Sequence, residues 1–239
     1  MQPDYKKIDM IICLIGFMGC GKSSVGRKLS QLLCCPFMDL DDVIEASAGR
    51  SIAEIFATDG EAAFRQMELD TLADIMMPEI RDRKQSLPSQ AMGPSLCGQR
   101  GSTASDPLFP AHTDFSSFSR TDNSDTAGSA ASQQGTTVLA LGGGTVMTPE
   151  CAEIVRNHAH CIYLKASVET LVEHLEGEVD KRPMLAQYHS DEDKVSALRS
   201  RIEELMAKRS ATYESVAHTV INTDGQSIDS IAHDIQRIL

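Results

Sequence analysis

The chain has 239 residues, 41% of them hydrophobic, and a formal net charge of −12. That supports a sizeable core, contains no apolar run of membrane-spanning length, and argues against a nucleic-acid or anionic-membrane surface, which requires a basic face. Any anionic substrate must therefore be met by a few local arginines.

The first predicted element is the apolar, β-branched run Ile8 to Ile15, which reads as a strand buried on both faces. Lys6 and Lys7 before it suggest a leader peptide, but Asp9 interrupts the apolar transition and Phe17 does not suit a small-residue cleavage site. Gly16-Phe-Met-Gly-Cys-Gly-Lys-Ser23 follows and fits GxxxxGK[ST] at every fixed position. In that pattern a backbone with little side-chain bulk turns its N–H groups toward phosphate oxygens. Lys22 then supplies a point charge to the β/γ-phosphates and Ser23 a hydroxyl for Mg²⁺, while Gly19, Cys20, Gly21 and Ser24 complete the cradle at the positive end of a helix carrying Val25, Leu29, Leu32 and Leu33. Such a loop binds a nucleoside triphosphate.

Pro36 to Asp39 reads as a second strand, leading into Asp41 and Asp42 and a helix ending at Gly49. If the extended backbone continues, Asp39 and Asp41 share one side, which suits a metal-water shell and a hydroxyl partner. Asp42 is the expected helix cap. Ser51 and Glu54 form a capping-box pattern for a short helix ended by Gly60, and a longer helix from Glu61 stops at Pro78. On it Arg65 and Glu68 are spaced for a surface ion pair.

From Gln85 to Thr136 the composition turns to Ser, Thr, Gly, Pro and Gln, with Phe109, Phe115 and Phe118 as its large anchors. We read 85–136 as a low-complexity, disordered insertion within a single domain spanning 1–239. The pattern resumes with the strand Thr137 to Leu141 and the glycines Gly142, Gly143 and Gly144, a backbone that something approaches closely. Thr148-Pro149-Glu150 starts a helix, Cys161 to Leu164 is a strand, and Ser167 caps the next helix. Glu176 to Leu185 reads as a loop with Arg182 at its basic end. A helix from Asp191 to Ala211 carries Arg209 near its C-terminus, Thr219 to Asn222 is a fifth strand, and Ser227 to Leu239 a closing helix.

Seven cysteines, an odd number without CxxC spacing, suggest neither disulfides nor zinc and point to a reducing, cytoplasmic setting. Oxidative inhibition at Cys20 requires an exposed, reactive thiol.

Alternating strands and helices behind a phosphate loop specify an α/β fold with a parallel sheet. The glycine loop, Asp39/Asp41 and Gly142–Gly144 should meet at the carboxyl edge of that sheet, with the insertion on the opposite edge.

GFMGCGKSSVGRKL, DLDD, SIAEIFATDGEAAFRQME, ALGGGTV, KRPML and LMAKRSATYESVA with INTD after it, taken in this order, closely resemble shikimate kinase. The resemblance spans about Ile11 to Leu239 apart from the insertion, and implies a three-layer P-loop kinase fold with a five-stranded parallel sheet flanked by helices. It implies transfer of the γ-phosphoryl group of MgATP to the 3-hydroxyl of shikimate, on the route to chorismate and the aromatic amino acids. It assigns Asp39 to the water shell of Mg²⁺, Asp41 to the ring hydroxyls and the proton of the attacking one, and Arg65 and Arg209 to the shikimate carboxylate. Gly143 and Gly144 would underlie the ring, Glu68 would fix Arg65, and Arg182 would close over the phosphates. Three departures stand out: the insertion, which breaks the usual spacing between the Arg65 helix and the GGG strand; His174-Leu-Glu-Gly-Glu where relatives often carry an arginine against adenine; and Ser210-Ala-Thr where they often carry a proline. ATP would then be held less tightly, or by other groups near Asn222 to Asp224. A monomer, without nucleic-acid or membrane partners, is expected. A gluconate-type kinase and a catalytically silent nucleotide-binding module are the alternatives; the paired arginines speak against the first and the intact set of site residues against the second.

Overall fold

The computed structural model describes residues 10–77, 135–176 and 194–239. Five parallel strands form one sheet in the order β2-β3-β1-β4-β5, with β1 at Met10–Ile15, β2 at Phe37–Asp39, β3 at Thr136–Ala140, β4 at His160–Lys165 and β5 at Thr219–Asn222. The helices are α1 Lys22–Leu33, α2 Leu40–Ala48, α3 Ile52–Thr58, α4 Gly60–Met76, α5 Pro149–His158, α6 Val168–Leu175, α7 Lys194–Val216 and α8 Ile228–Ile238.

Period-two alternation along β1 divides the core into two layers. Ile12 and Leu14 join Val25, Leu29, Leu198, Ile202, Ile231 and Ile235 on one face. Ile11, Cys13 and Ile15 join Leu40, Ile44, Leu72, Val155, Tyr163 and Tyr213 on the other. Each fully buried Leu or Ile contributes roughly 1.5–3 kcal/mol. The helix α7 belongs to both layers, through Leu198, Ile202 and Leu205 on one side of the sheet and Tyr213 and Val216 on the other.

Local signals account for most boundaries. Ser51 and Glu54 make the reciprocal capping box, worth about 1 kcal/mol. Gly60, at φ +82°, opens α4 directly after Asp59 instead of standing between two helices. Helix α4 ends at Met76, before Pro78, which lies outside the described residues. Three expectations need correction. Thr136 pairs with Met10 as the first residue of β3, so it is not part of an insertion. Asp39, not Asp42, caps α2, its carboxylate accepting from the Asp41 amide at 3.2 Å. The helix carrying Arg209 runs on to Val216, because no proline interrupts it; Ser210 donates its hydroxyl to the Met206 carbonyl instead. Arg209 therefore lies well inside the helix.

Candidate functional site

The carboxyl ends of β1, β2 and β3 open into a cleft of about 690 Å³. Its walls include Gly19, Cys20, Gly21, Lys22, Ser23 and Ser24 from the phosphate loop, Asp39 and Asp41 from β2 and α2, and Gly142 and Gly143 after β3. This is where ligands collect in open α/β sheets.

Gly21 sits at φ +90° as the N-cap of α1, a left-handed conformation that turns the loop into the helix. Lys22 Nζ lies within the loop and donates to the carbonyls of Gly16 and Phe17 at 3.0 and 2.9 Å. Ser23 donates its hydroxyl to Asp39 Oδ2 at 2.6 Å. Two hard oxygen ligands thus stand side by side next to the phosphate cradle. That donor set fits Mg²⁺, which takes one or two protein oxygens and fills the remainder with phosphate and water.

The strand does not continue to Asp41, as one reading of the sequence required; the chain turns into α2 at Leu40. Asp41 reaches the cleft from the first helical turn. A Cβ on Gly142 would come within 2.9 Å of its Oδ1 and 3.1 Å of Glu68 Oε1. Burial, followed by the negative charges of Asp39 and Glu68, pushes the Asp41 carboxyl up to about 7, with Lys22 opposing. A carboxyl with that affinity for protons can accept one near neutrality.

The two arginines arrive from opposite parts of the chain. Arg65 Nη1 donates to Glu68 Oε2 at 2.5 Å and Nη2 to Glu61 Oε1 at 3.2 Å. Glu68 is 1% exposed and also accepts the Thr145 hydroxyl at 2.5 Å, so this is not the surface pair that the spacing suggested. The guanidinium lies against Gly144, where a Cβ would come 2.6 Å from Nη2. Arg209, 8% exposed, directs Nη1 to the Gly143 carbonyl at 3.4 Å and lies over the Phe17 ring at 5.9 Å. Both arginines therefore meet adjacent residues of the triple-glycine turn. Arg182 lies outside the described residues, as do Cys97 and nearly all of the segment 85–136.

A family model described as shikimate kinase matches residues 18–81 and 117–239. The chain belongs to the shikimate kinase family. It is accordingly a kinase that phosphorylates shikimate with ATP as co-substrate, in the pathway to the aromatic amino acids. The shikimate kinase of Chlorobium chlorochromatii is 31% identical, the match covering 97% of this chain and 92% of that one. That of Chlorobaculum tepidum is 32% identical over 95% and 88%. Among solved structures, the Acinetobacter baumannii shikimate kinase, in complex with shikimate, aligns with a TM-score of 0.63 at 25% identity over 97% of this chain and 93% of that one.

Several features of this shikimate kinase site were not singled out as functional in the sequence. His174 Nδ1 is 2.8 Å from the Gly19 carbonyl, so the end of α6 rests on the phosphate loop. Thr223, Gln226, Ser227, Ile228 and Ile231 close the far wall of the cleft. Asp224, near the expected adenine side, is committed elsewhere: it accepts the Ser167 amide and the Thr170 hydroxyl, each at 2.8 Å. Thr145 and Tyr213 were visible only as letters in ALGGGTV and ATYESVA, because their partners are distant in sequence. Cys20 is 3% exposed and burial raises its thiol pKa, Lys22 opposing, so it lacks the exposure and acidity that oxidative control requires.

Proposed function

We propose that the site residues divide the transfer of the γ-phosphoryl group to the 3-hydroxyl of shikimate as follows. Gly19 to Ser24 cradle the triphosphate, with Lys22 turned from the loop carbonyls to the phosphates. Ser23 would ligate Mg²⁺ directly and Asp39 would hold its water shell; the ion, when bound, neutralises phosphate charge. Arg65 and Arg209 bind the shikimate carboxylate, Gly143 and Gly144 underlie the ring, and Arg182, by the family resemblance, would neutralise phosphate charge. Asp41 orients the ring hydroxyls. As the 3-hydroxyl oxygen bonds to the γ-phosphorus and the bond to ADP breaks, the hydroxyl proton passes to Asp41.

The observation that carries this reading is the meeting of Arg65 and Arg209 on Gly144 and Gly143, at the same strand edge as the phosphate loop. Two guanidinium groups held by buried partners suit a small carboxylate, and positioning is most of what phosphoryl transfer asks of a protein. A cytoplasmic monomer fits the acidic charge and the free cysteines; among the described residues no helix is long and apolar enough to cross a membrane.

The test is a coupled ADP-release assay with shikimate, with gluconate and with no acceptor. Turnover is expected only with shikimate and Mg²⁺. Turnover confined to gluconate, or none with either acceptor, overturns the assignment.

A further inference from the structure

Arg209 and Tyr213 are one helical turn apart on α7, so their side chains leave the same face. Both reach one acceptor, the Gly143 carbonyl, but unequally. The Tyr213 hydroxyl donates to it at 2.5 Å, while Arg209 Nη1 stands at 3.4 Å, the limit of a hydrogen bond. The Tyr213 ring is fully buried and stacked on Tyr163 with centroids 5.1 Å apart, so the hydroxyl is fixed.

The Gly143 carbonyl is partly buried, and such a carbonyl takes a donor where one is in reach. Among the described residues, the side chains that donate to Gly143 are these two. Without the phenol, the guanidinium would be the remaining side-chain donor, and a charged donor binds a carbonyl more strongly than a neutral one. It would close onto the backbone and be lost to a ligand.

We propose that Tyr213 is a positioning residue for the acceptor substrate: its hydroxyl satisfies the Gly143 carbonyl and so keeps the neighbouring Arg209 guanidinium from closing further onto the backbone and away from the shikimate carboxylate. The phenol keeps its proton, because burial raises its pKa more than Arg209 lowers it. This assignment rests on the reading of Arg209 as a carboxylate clamp. It gives Tyr213 a role beyond filling the core, since the ring alone would fill the same space.

The experiment compares steady-state kinetics of Tyr213→Phe, Arg209→Ala, the double variant and Tyr163→Phe. The last removes a buried hydroxyl from the ring stacked on Tyr213, one that does not reach the Gly143 carbonyl, and should behave as wild type. Tyr213→Phe should raise KM for shikimate roughly tenfold, leaving kcat within about twofold and KM for ATP unchanged. In the Arg209→Ala background the same substitution should change nothing further, because the guanidinium it affects is gone. An unchanged KM for shikimate, a parallel rise in KM for ATP, or an equal effect in the Arg209→Ala background overturns the proposal. If Arg209→Ala alone leaves KM for shikimate unchanged, the clamp reading itself falls, a result distinct from the others. Should Tyr213→Phe not fold, 4-fluorophenylalanine at position 213 fills the hydroxyl's volume without donating, and the same pattern is required.

Discussion

Ser23 Oγ and Asp39 Oδ2 are joined by a 2.6 Å hydrogen bond that fastens the start of α1 to the end of β2. The other carboxylate oxygen of Asp39 holds the Asp41 amide at the start of α2. Asp39→Asn keeps the size of the side chain but removes its charge. The expected result is a rise of about 10–100-fold in the Mg²⁺ concentration needed for half-maximal rate, with the fold intact by circular dichroism. An unchanged Mg²⁺ titration would remove Asp39 from the metal's surroundings.

Arg65→Ala strips the partner from a carboxylate that is 1% exposed. Loss of one member of such a pair costs on the order of 3–5 kcal/mol, read here as a lowered melting temperature. Shikimate turnover should disappear while ATP binding, measured by calorimetry, persists. Arg65→Lys should not restore turnover, because an ammonium cannot reproduce the planar fork. Full turnover in either variant contradicts the clamp.

The Asp41 carboxyl, pushed up to about 7, predicts an acid limb in kcat/KM for shikimate that rises with pH through about 7. The stability of the free protein runs the other way. A carboxyl whose folded pKa exceeds its unfolded one takes up a proton on folding, so its contribution declines as pH rises from about 4 to about 7. Asp41→Asn should flatten both, lowering turnover severely and raising the melting temperature at pH 8. A melting temperature unchanged at pH 8 would mean that burial does not disfavour the Asp41 charge.

Among the described cysteines, Cys34 is the exposed one and Cys20 is buried. Brief treatment with iodoacetamide followed by peptide mass mapping should find Cys34 labelled well before Cys20. Early labelling of Cys20 would show that the phosphate loop opens far more readily than its packing implies.

The chain re-enters the sheet at Gly135 and Thr136, beside Met10 at the amino ends of the strands. Helix α4 leaves the site at Arg65 and carries the chain roughly 16 Å away by Met76. A deletion of residues 85–134 that keeps Thr136 in its ladder should therefore retain shikimate kinase activity. A folded but inactive deletion variant would mean that the segment contributes to the chemistry.

The nucleotide half of the site was legible in the sequence because it is local. Gly16 to Ser23 is one contiguous turn between a strand and a helix, and its pattern has few other uses. Arg65 read as an ordinary ion pair, because spacing along a helix does not reveal that Glu68 is buried against Thr145, 77 positions later. Asp42 was a reasonable cap by type, yet Asp39 took the role because the strand ended one residue before the helix began. Arg209 seemed a helix-end charge until α7 proved longer than its hydrophobic pattern suggested. What single-sequence reading missed were contacts between distant segments, and the family resemblance supplied the arginines but not the hydroxyls beside them.

The membership of α7 in both core layers also sets an order of assembly on the ribosome. The phosphate cradle emerges well before Arg209 and Tyr213, which follow it only after β3 and β4. Their arrival depends on a helix that must seat against both faces of a sheet already paired. A nascent chain can thus carry the nucleotide loop before it has the α7 side chains that meet Gly143. The meeting of Arg209 and Tyr213 on Gly143 comes after the cradle, and its completion reports that the two layers have closed.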